Sequence, residues 1–299
     1  MPPAAVKRRC AEMERRYSEN SKARLKRQII HTLLYLILFI VAAACFFPFL
    51  AMLIGSTQDN LTITTKFSLI PGDRFMANYE RMIQNKDIWL GFANSMWLSI
   101  LNTALCLYFS AMTGYAFSKF RFKGRNALFT FIMVVMMLPG QLGVIGFYRE
   151  VVDMKLLNTY WPLIIPAISN CFAVFFFKQY LDTGLPNELI EAALMDGCGE
   201  INIFHSIILP CMGAALVTQG VMSFIGNWNS YLNPLLILNR SRLMTLPVLL
   251  ASIKSGNGAS DYGAQYVGIL ISVAPLLVIF TFANKVIMEK IAIGAAVKG

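Results

Sequence analysis

Charged residues are scarce in this chain of 299 residues: they make up 14% of it, against about 25% in ordinary soluble domains. This shortage excludes an ordinary cytosolic enzyme, a disordered chain and a disulfide-stapled secreted module. A helix needs about 20 residues to cross the hydrocarbon core of a bilayer. Six stretches of at least that length contain no Asp, Glu, Lys or Arg: 29–54, 88–117, 127–147, 156–177, 201–239 and 262–284. The sequence therefore predicts an all-α, polytopic membrane protein with six transmembrane helices.

Motifs of nucleotide and enzyme chemistry are missing as well. The dipeptide Gly-Lys does not occur, which excludes a P-loop, and HExxH, GxSxG and the dinucleotide fingerprint are absent. The six cysteines are scattered without a CxxC pair, so no disulfide framework or zinc site is indicated. We predict no catalytic residue, no metal site and no cofactor. No Asp, Glu, Lys or Arg lies in a predicted span to relay protons or sodium, so energy for uphill transport would enter through another subunit.

The hydropathy pattern gives a predicted order of segments. Residues 29–54 form the first transmembrane helix, 55–87 an extracytoplasmic loop, and 88–290 a core with the other five helices. Lys and Arg are concentrated in 1–28, beside the first span, and the positive-inside rule therefore places this basic N-terminus and the C-terminal tail 291–299 in the cytoplasm. Binding of 1–28 to nucleic acid or anionic lipid is the weaker interpretation, and no nucleic-acid partner is predicted. The first apolar run is too long for a signal peptide.

The stretch 201–239 is too long for one span and short for two. We place its helix at 205–226 and assign the residues that follow to an outside loop. The second apolar piece of that loop, 243–253, has 11 residues. Because 11 residues do not cross a bilayer, a re-entrant or surface segment is favoured there.

A short amphipathic helix is predicted in the cytoplasmic segment 181–204, between the fourth and fifth spans. Pro186 suits the first helical position, and Glu188 and Glu191 complement the positive end of the helix dipole. Gly197 and Gly199 end the helix, since glycine accepts the left-handed conformation, and a second helix then runs into the fifth span. An apolar stripe is formed by pairs four residues apart, Leu189 with Ala193 and Ile190 with Leu194.

The charge of this segment favours a protein partner over lipid. Residues 179–204 hold five acidic residues and no basic one, whereas a helix lying on a membrane carries Lys or Arg on its polar face. Ala192 and Ala193 are small enough to let a partner surface approach closely.

At this segment the sequence resembles a known family. EAALMDGCGEINIFHSIILP is similar to the EAA loop of bacterial ABC importer permeases, a pattern of EAA, a glycine and then I-x-LP. The matching residues are Glu191, Ala192, Ala193, Asp196, Gly197, Ile207, Leu209 and Pro210. Segments 114–126, 136–166, 224–238, 245–250 and 295–299 resemble the sugar-importing branch, close to the smaller maltose-type permease.

The resemblance implies a type I ABC importer permease fold and a coupling role. It implies that Glu191 pairs with a basic residue of an ATP-hydrolysing subunit, that Ala192 and Ala193 make the close contact, and that Gly197 forms the turn. Asp196 belongs to the same ATPase-coupling motif. Leu209 and Pro210 would link this turn to the fifth span, and Val297, Lys298 and Gly299 would reach toward the ATPase dimer. The implied partners are a second homologous permease, two ATP-hydrolysing subunits, an extracytoplasmic solute-binding protein, membrane lipid and a sugar, at the bacterial inner membrane.

Small and polar residues form stripes on the predicted spans. Ser95, Ser99, Asn102 and Cys106 share one face of the second span, and Gly220, Ser223 and Asn227 share one face of the fifth; Gln219, Asn170 and Gln141 are further candidates. Such stripes serve close helix packing or line a translocation pathway. Both interpretations stay open, with packing favoured.

Three other functions compete with import of a sugar or oligosaccharide. An ABC permease for a non-sugar solute, such as a polyamine or a peptide, is opposed only by the resemblance to the sugar branch. A secondary transporter would need an acid or base buried in a span. A membrane-embedded enzyme would need a convergent set of His, Asp, Glu or Ser, and the sequence has no such set.

Overall fold

Helices make up most of the described backbone, since a chain in lipid must satisfy its own backbone hydrogen bonds. The computed structural model describes residues 4–85, 87–254 and 258–297, and the side chains of 27–84, 87–254 and 258–285. In chain order the α-helices of this part are α1 (Ala4–Gly55), α2 (Asn60–Thr65), α3 (Phe75–Asn85), α4 (Ile88–Lys119), α5 (Arg125–Met137), α6 (Val144–Asp153), α7 (Trp161–Ile164), α8 (Cys171–Gly184), α9 (Asn187–Met195), α10 (Glu200–Ile203), α11 (Leu209–Cys211), α12 (Gly213–Trp228), α13 (Leu232–Ile237), α14 (Leu246–Ala251) and α15 (Tyr262–Val297).

Long apolar helices account for most of the predicted spans. Among the described residues, four helical segments are long and apolar enough to cross a membrane: Arg27–Gly55, Ile88–Lys119, Trp161–Gly184 and Tyr262–Lys285. The count reaches six when two bent pairs are each taken as one span: Arg125–Met137 with Gly140–Asp153, bent by 89°, and Glu200–Cys211 with Gly213–Ile237, bent by 79°. The predicted all-α membrane fold is confirmed.

The predicted third span, 127–147, is bent and is not one straight helix. α5 ends at Met137 after 13 residues, a length of about 20 Å that is shorter than the hydrocarbon core. Leu138 has extended backbone angles, φ −77° and ψ 129°, as expected before Pro139, whose ring disfavours a helical preceding residue. A 3₁₀ turn over Gly140–Gly143 follows, and α6 then departs at 89° to α5.

The predicted bounds of the fifth span, 205–226, are also wrong. A π-helical turn over Phe204–Ile208 and α11 belong to the limb before the 79° bend, and the straight part of the span, α12, begins only at Gly213. Met212 stands at the bend with a fully buried side chain. Sequence hydropathy does not report the direction of a helix, so this stretch looked continuous.

The apolar piece 243–253 contains α14, which does not cross the membrane. Its Leu246, Leu249 and Leu250 are buried in a cluster with residues of α3, α4, α12 and α15. An exposed helix on the outside of the protein is therefore excluded, and the choice between a re-entrant and a surface segment stays a prediction. Trp228 belongs to the same cluster, and its indole N–H donates to the carbonyl of Ser272 at 3.0 Å, which ties α12 to α15.

The helices of the first and last spans extend beyond the predicted span boundaries. α1 starts at Ala4, so the basic segment 1–28 continues into the first span as one helix from that residue onward. α15 likewise runs on through the predicted tail to Val297, and Lys298 and Gly299 lie outside the described residues. The side chains of the first span are mostly exposed, as suits a helix surrounded by lipid.

Helix α4 is the central element, and it packs against α8, α12 and α14. Gly114 lets α4 and α8 approach closely, because a Cβ at this position would stand 2.9 Å from the Cβ of Phe177 and 3.0 Å from the backbone nitrogen of Lys178. The backbone of α8 cannot move aside as a flexible side chain would.

We predict that Gly114→Ala lowers the stability of the folded chain by roughly 1–3 kcal/mol, the usual cost of overpacking a close contact. The measurement is thermal unfolding of the purified protein in detergent. Gly226→Ala is the matched control, because an added Cβ there meets nothing within 4 Å. Equal unfolding midpoints for the two variants would contradict the prediction.

Candidate functional site

Helix α9 is the predicted coupling helix. Pro186 is its N-cap, with φ −61° and ψ 143°, and Asn187 is the first helical residue, one position later than the sequence predicts. The helix ends in a left-handed turn at Gly197, φ 78°. The Gly197 N–H donates to the carbonyl of Leu194 and the Cys198 N–H donates to that of Ala193, both at 3.0 Å, which is the Schellman pattern. Gly199 does not end α9; it is the N-cap of α10.

The two faces of α9 differ from the predicted single apolar stripe. Ile190 and Ala193 are buried in the cluster that joins α4, α8 and the α10–α12 region. Leu189 and Leu194 are about half exposed. The side chain of Ala193 therefore faces the chain's own core, where the sequence placed it against a partner.

The outer face of α9 carries the remaining motif residues. Glu188, Glu191, Ala192 and Met195 are exposed at positions i, i+3, i+4 and i+7, which lie on one side of a helix. Met195 is 88% exposed. This face combines two carboxylates with a small and a large apolar side chain, and it is available to a partner. Asp196 is exposed directly after it as the C-cap.

Lys119, the last residue of α4, fixes the start of α9. Its ammonium group donates to the carbonyl of Leu185 at 2.7 Å and to Oδ1 of Asn187 at 2.9 Å. Asp182, near the end of α8, adds two more contacts. Its carboxylate accepts a hydrogen bond from the Ser118 hydroxyl at 2.6 Å and forms an ion pair with Lys178 at 2.5 Å. The loop between α8 and α9 is therefore attached to α4 by charged hydrogen bonds. Sequence reasoning missed Lys119, because it lies 66 residues from Leu185 in the chain.

The segment after Gly197 connects α9 to the fifth span. Tyr115 of α4 donates to the Glu200 carboxylate at 3.2 Å, and the Nε2 of His205 lies 3.2 Å from the Tyr108 hydroxyl. Leu209 and Pro210 form α11, immediately before the bend at Met212. The structure thus places the predicted linking residues at the corner where one limb meets the other.

A cavity of about 410 Å³ is lined by residues of α4 and α12, among others. Six of the ten candidates that the sequence offers line it: Ser95, Asn102, Cys106, Asn170, Ser223 and Asn227; Gln141 and Gly220 do not. Ser99 and Gln219 are buried elsewhere, with 1% and 4% of their surfaces exposed, and do not line it. The two predicted stripes therefore meet at one site, although not with every member.

The stripe residues also hold helices together. The Asn102 amide donates to Oδ1 of Asn227 at 3.0 Å and to the carbonyl of Leu163 at 3.1 Å. Ser95 Oγ accepts the N–H of Leu246 at 2.8 Å and so fixes the start of α14. The same side chains therefore hold helices together and line the cavity. The two interpretations that the sequence left open do not exclude each other.

Among the described residues that line the cavity, none has a charged side chain. It is lined by amides, hydroxyls, glycines, prolines and apolar groups, and the break in the third span contributes Gly140 and Gly143. Asn170 uses its Oδ1 to cap α8, accepting from the Ala173 N–H at 2.9 Å. Sequence reasoning missed the cavity residues Ser230, Asn233 and Thr245. They lie in the predicted outside loop, where their polarity is no signal of a cavity because Asn239, Arg240, Ser241 and Arg242 are polar as well.

The sequence profile described as "Binding-protein-dependent transport system inner membrane component" matches residues 106–293, well over half of the chain. The chain belongs to this family. The predicted family is confirmed, and the chain is a permease subunit of an ABC importer, not an enzyme. A permease of this family works at the inner membrane with an ATP-hydrolysing subunit and a solute-binding protein.

Known relatives align along most of this permease. The arabinooligosaccharides transport system permease protein of Halalkalibacterium halodurans is 33% identical over 87% of this chain and 93% of its own length. The lactose transport system permease protein of Rhizobium radiobacter is 31% identical over 86% and 93%. A solved bacterial ABC transporter involved in import of the acidic polysaccharide alginate matches with a TM-score of 0.75 at 22% identity, over 86% of this chain and 96% of that chain. This likeness confirms the predicted type I permease fold.

We predict that Lys119→Met loosens the start of α9 in the permease, because Leu185 and Asn187 lose their charged donor. Amide hydrogen exchange across 187–195 should become severalfold faster. Lys123→Met, which removes an exposed charge from the loop after α4, is the control and should leave that exchange unchanged. Equal exchange rates in both variants would show that Lys119 does not hold the helix.

Proposed function

We propose that this permease subunit carries an uncharged saccharide inward and that α9 couples the transport to ATP hydrolysis in a partner. The observation that carries the solute class is the cavity wall of neutral amides and hydroxyls. A charged solute in such a site would lack a counter-charge, which is costly away from water. The hydroxyls of a sugar, in contrast, both donate to and accept from amides and hydroxyls.

The similar permeases support this proposal. Two of them are described as carrying arabinooligosaccharides and lactose, which are built of uncharged sugar units. The structural relative belongs to a transporter of an acidic polysaccharide, so the fold alone does not decide the charge of the solute. For this chain, the neutral cavity favours an uncharged saccharide.

The exposed face of α9 supports the coupling role. We propose that Glu191 pairs with a basic residue of the ATP-hydrolysing subunit, that Ala192 and Met195 fill the contact, and that Gly197 with Asp196 sets the angle of the helix. Ala193 acts from the inside, since with Ile190 it fastens α9 to the core. A push on α9 then reaches α4 through Lys119 and reaches α12 through Leu209, Pro210 and the bend.

The proposed assembly holds this permease, a second homologous permease, two ATP-hydrolysing subunits and an extracytoplasmic binding protein, within membrane lipid. Both termini lie in the cytoplasm in this arrangement, and 55–87 lies outside. Closure of the ATPase pair switches the pathway between two states, which is how a site on α9 is linked to a site in the cavity.

The runner-up is an ABC permease for a non-sugar solute. The deciding experiment is ATPase stimulation of the complete transporter in nanodiscs, with binding protein loaded from a panel of saccharides, polyamines and peptides. We expect stimulation by a neutral saccharide. Stimulation only by a charged or non-sugar ligand would overturn the proposed solute class and leave the coupling role of α9 standing.

We predict that Glu191→Lys abolishes uptake and releases the ATP-hydrolysing subunit, because the reversed charge repels a basic partner residue. The permease should still insert, since Glu191 is exposed and outside the core. Co-purification of the ATPase with tagged permease measures this. Asp153→Lys makes the same charge change at an exposed residue of α6. This control variant should keep normal uptake and should still bind the ATP-hydrolysing subunit. Normal uptake by the Glu191 variant would refute the coupling role.

We predict that Asn233→Leu raises the KM for uptake about fivefold, the cost of about one hydrogen bond. Asn233 lines the cavity from the start of α13, and leucine is close to it in size but cannot bond to a hydroxyl. Asn229→Leu, at an exposed position outside the cavity wall, is the matched control and should behave as the parent. An unchanged KM in the Asn233 variant would show that this wall does not contact the solute.

A further inference from the structure

An extended segment between α2 and α3 exposes apolar side chains. We call this segment, Lys66–Gly72, the hook. Phe67 is 75% exposed, Leu69 44% and Ile70 77%. A connecting segment that faces water is usually polar, so a cluster of three large apolar side chains points to a contact with something apolar.

The hook is held rigidly by the residues that follow α1. The buried amide of Gln58 donates to the carbonyl of Ser68 at 3.1 Å and to that of Ile70 at 2.7 Å. The Gly72 N–H donates to Oγ1 of Thr57 at 2.8 Å. A Cβ on Gly72 would stand only 2.4 Å from the Thr57 carbonyl oxygen. The backbone of the hook is therefore fixed, with its three apolar side chains on the exposed side.

The hook folds back along the first span. The ring of Phe67 lies 6.1 Å from the ring of Phe47, and Phe47 precedes the end of α1 at Gly55 by two turns. At a rise of 1.5 Å per residue this is a distance of about 12 Å along the helix. Phe47 lies inside the charge-free stretch 29–54. The Phe67 ring therefore reaches the level of the membrane boundary.

We propose that the hook inserts into the lipid interface at the end of the first span opposite the N-terminus. Phe67, Leu69 and Ile70 then lie at the boundary between headgroups and acyl chains, where aromatic and apolar groups are favoured. Lys66, exposed beside them, extends its ammonium group to the lipid phosphates. The proposal holds for either orientation of the chain and does not depend on the solute.

Lipid is favoured over a protein partner by the continuity of the exposed surface. The turns of α1 beside the hook expose Phe46, Phe47 and Leu53, and apolar side chains on the surface of a span are compatible with acyl chains. The contact between Phe47 and Phe67 makes the hook a continuation of that surface. A protein that covered the hook would also have to cover this side of the span.

The test uses nitroxide labels at residues 67 and 70, in a chain whose cysteines are replaced by serine and which is assembled as the complete transporter in lipid vesicles. Oxygen, which concentrates in lipid, and a water-soluble nickel chelate compete as relaxing agents. We expect the oxygen effect relative to nickel to be severalfold larger at 67 and 70 than at 73, where the Asp73 side chain is 95% exposed. A nickel-dominated signal at 67 and 70 overturns the proposal, and so does protection from both agents, which indicates a protein cover.

A second measurement keeps the native cysteines, in case their replacement impairs folding. Phe67→Trp adds one tryptophan whose fluorescence is recorded in vesicles of brominated phospholipid. We expect bromine near the headgroup to quench the added signal severalfold more than bromine at the chain end. Asp73→Trp is the control and should show little quenching by either lipid. Absence of quenching of the Phe67→Trp signal refutes the proposal independently of the labels.

Discussion

The close contact between α4 and α8 supports both functional regions of this permease. α4 carries Ser95 and Asn102 in the cavity wall and, at its last residue, Lys119, which holds the loop before α9. It is one uninterrupted helix of 32 residues, about 48 Å long. Gly114 lets α8 lie directly against it. In the proposed coupling, a displacement of α9 would reach the cavity wall through this close contact and through Lys119.

The number of membrane segments could be predicted from sequence, because lipid excludes charge and each charge-free stretch is long enough to cross. The bends could not be predicted. Pro48 lies within α1 without breaking it, whereas Pro139 ends α5, and the same residue type thus gives opposite results. At the second bend, Pro210 and Gly213 are breaker residues but weak signals, since Pro275 lies within α15 without breaking it. The direction of a chain after such a point depends on what it packs against, which hydropathy does not record.

In the candidate site, too, the features set by nearby residues could be predicted and those set by distant residues could not. The motif around Glu191 and the left-handed Gly197 follow from local rules, since helix dipoles and C-terminal glycines act within a few residues. Which side of α9 is buried depends on distant residues, so the inward orientation of Ala193 was missed. The cavity residues Asn233 and Thr245 come from a loop whose position is set by α4, through the bond from Leu246 to Ser95. Contacts of this range leave no periodic signal.

The two breaks lie where a membrane protein can tolerate them. Irregular backbone inside a bilayer is stable only when protein covers it or when it borders a polar cavity, since lipid cannot satisfy its hydrogen-bonding groups. The break after Met137 borders the cavity through Gly140 and Gly143, and the break at Met212 is covered, with that side chain fully buried. The first break shapes the candidate pathway, and the second turns the limb that begins after α9 into the fifth span. Straight helices at both places would pack more simply. They would leave no cavity beside α4 and no bent connection between α9 and the fifth span.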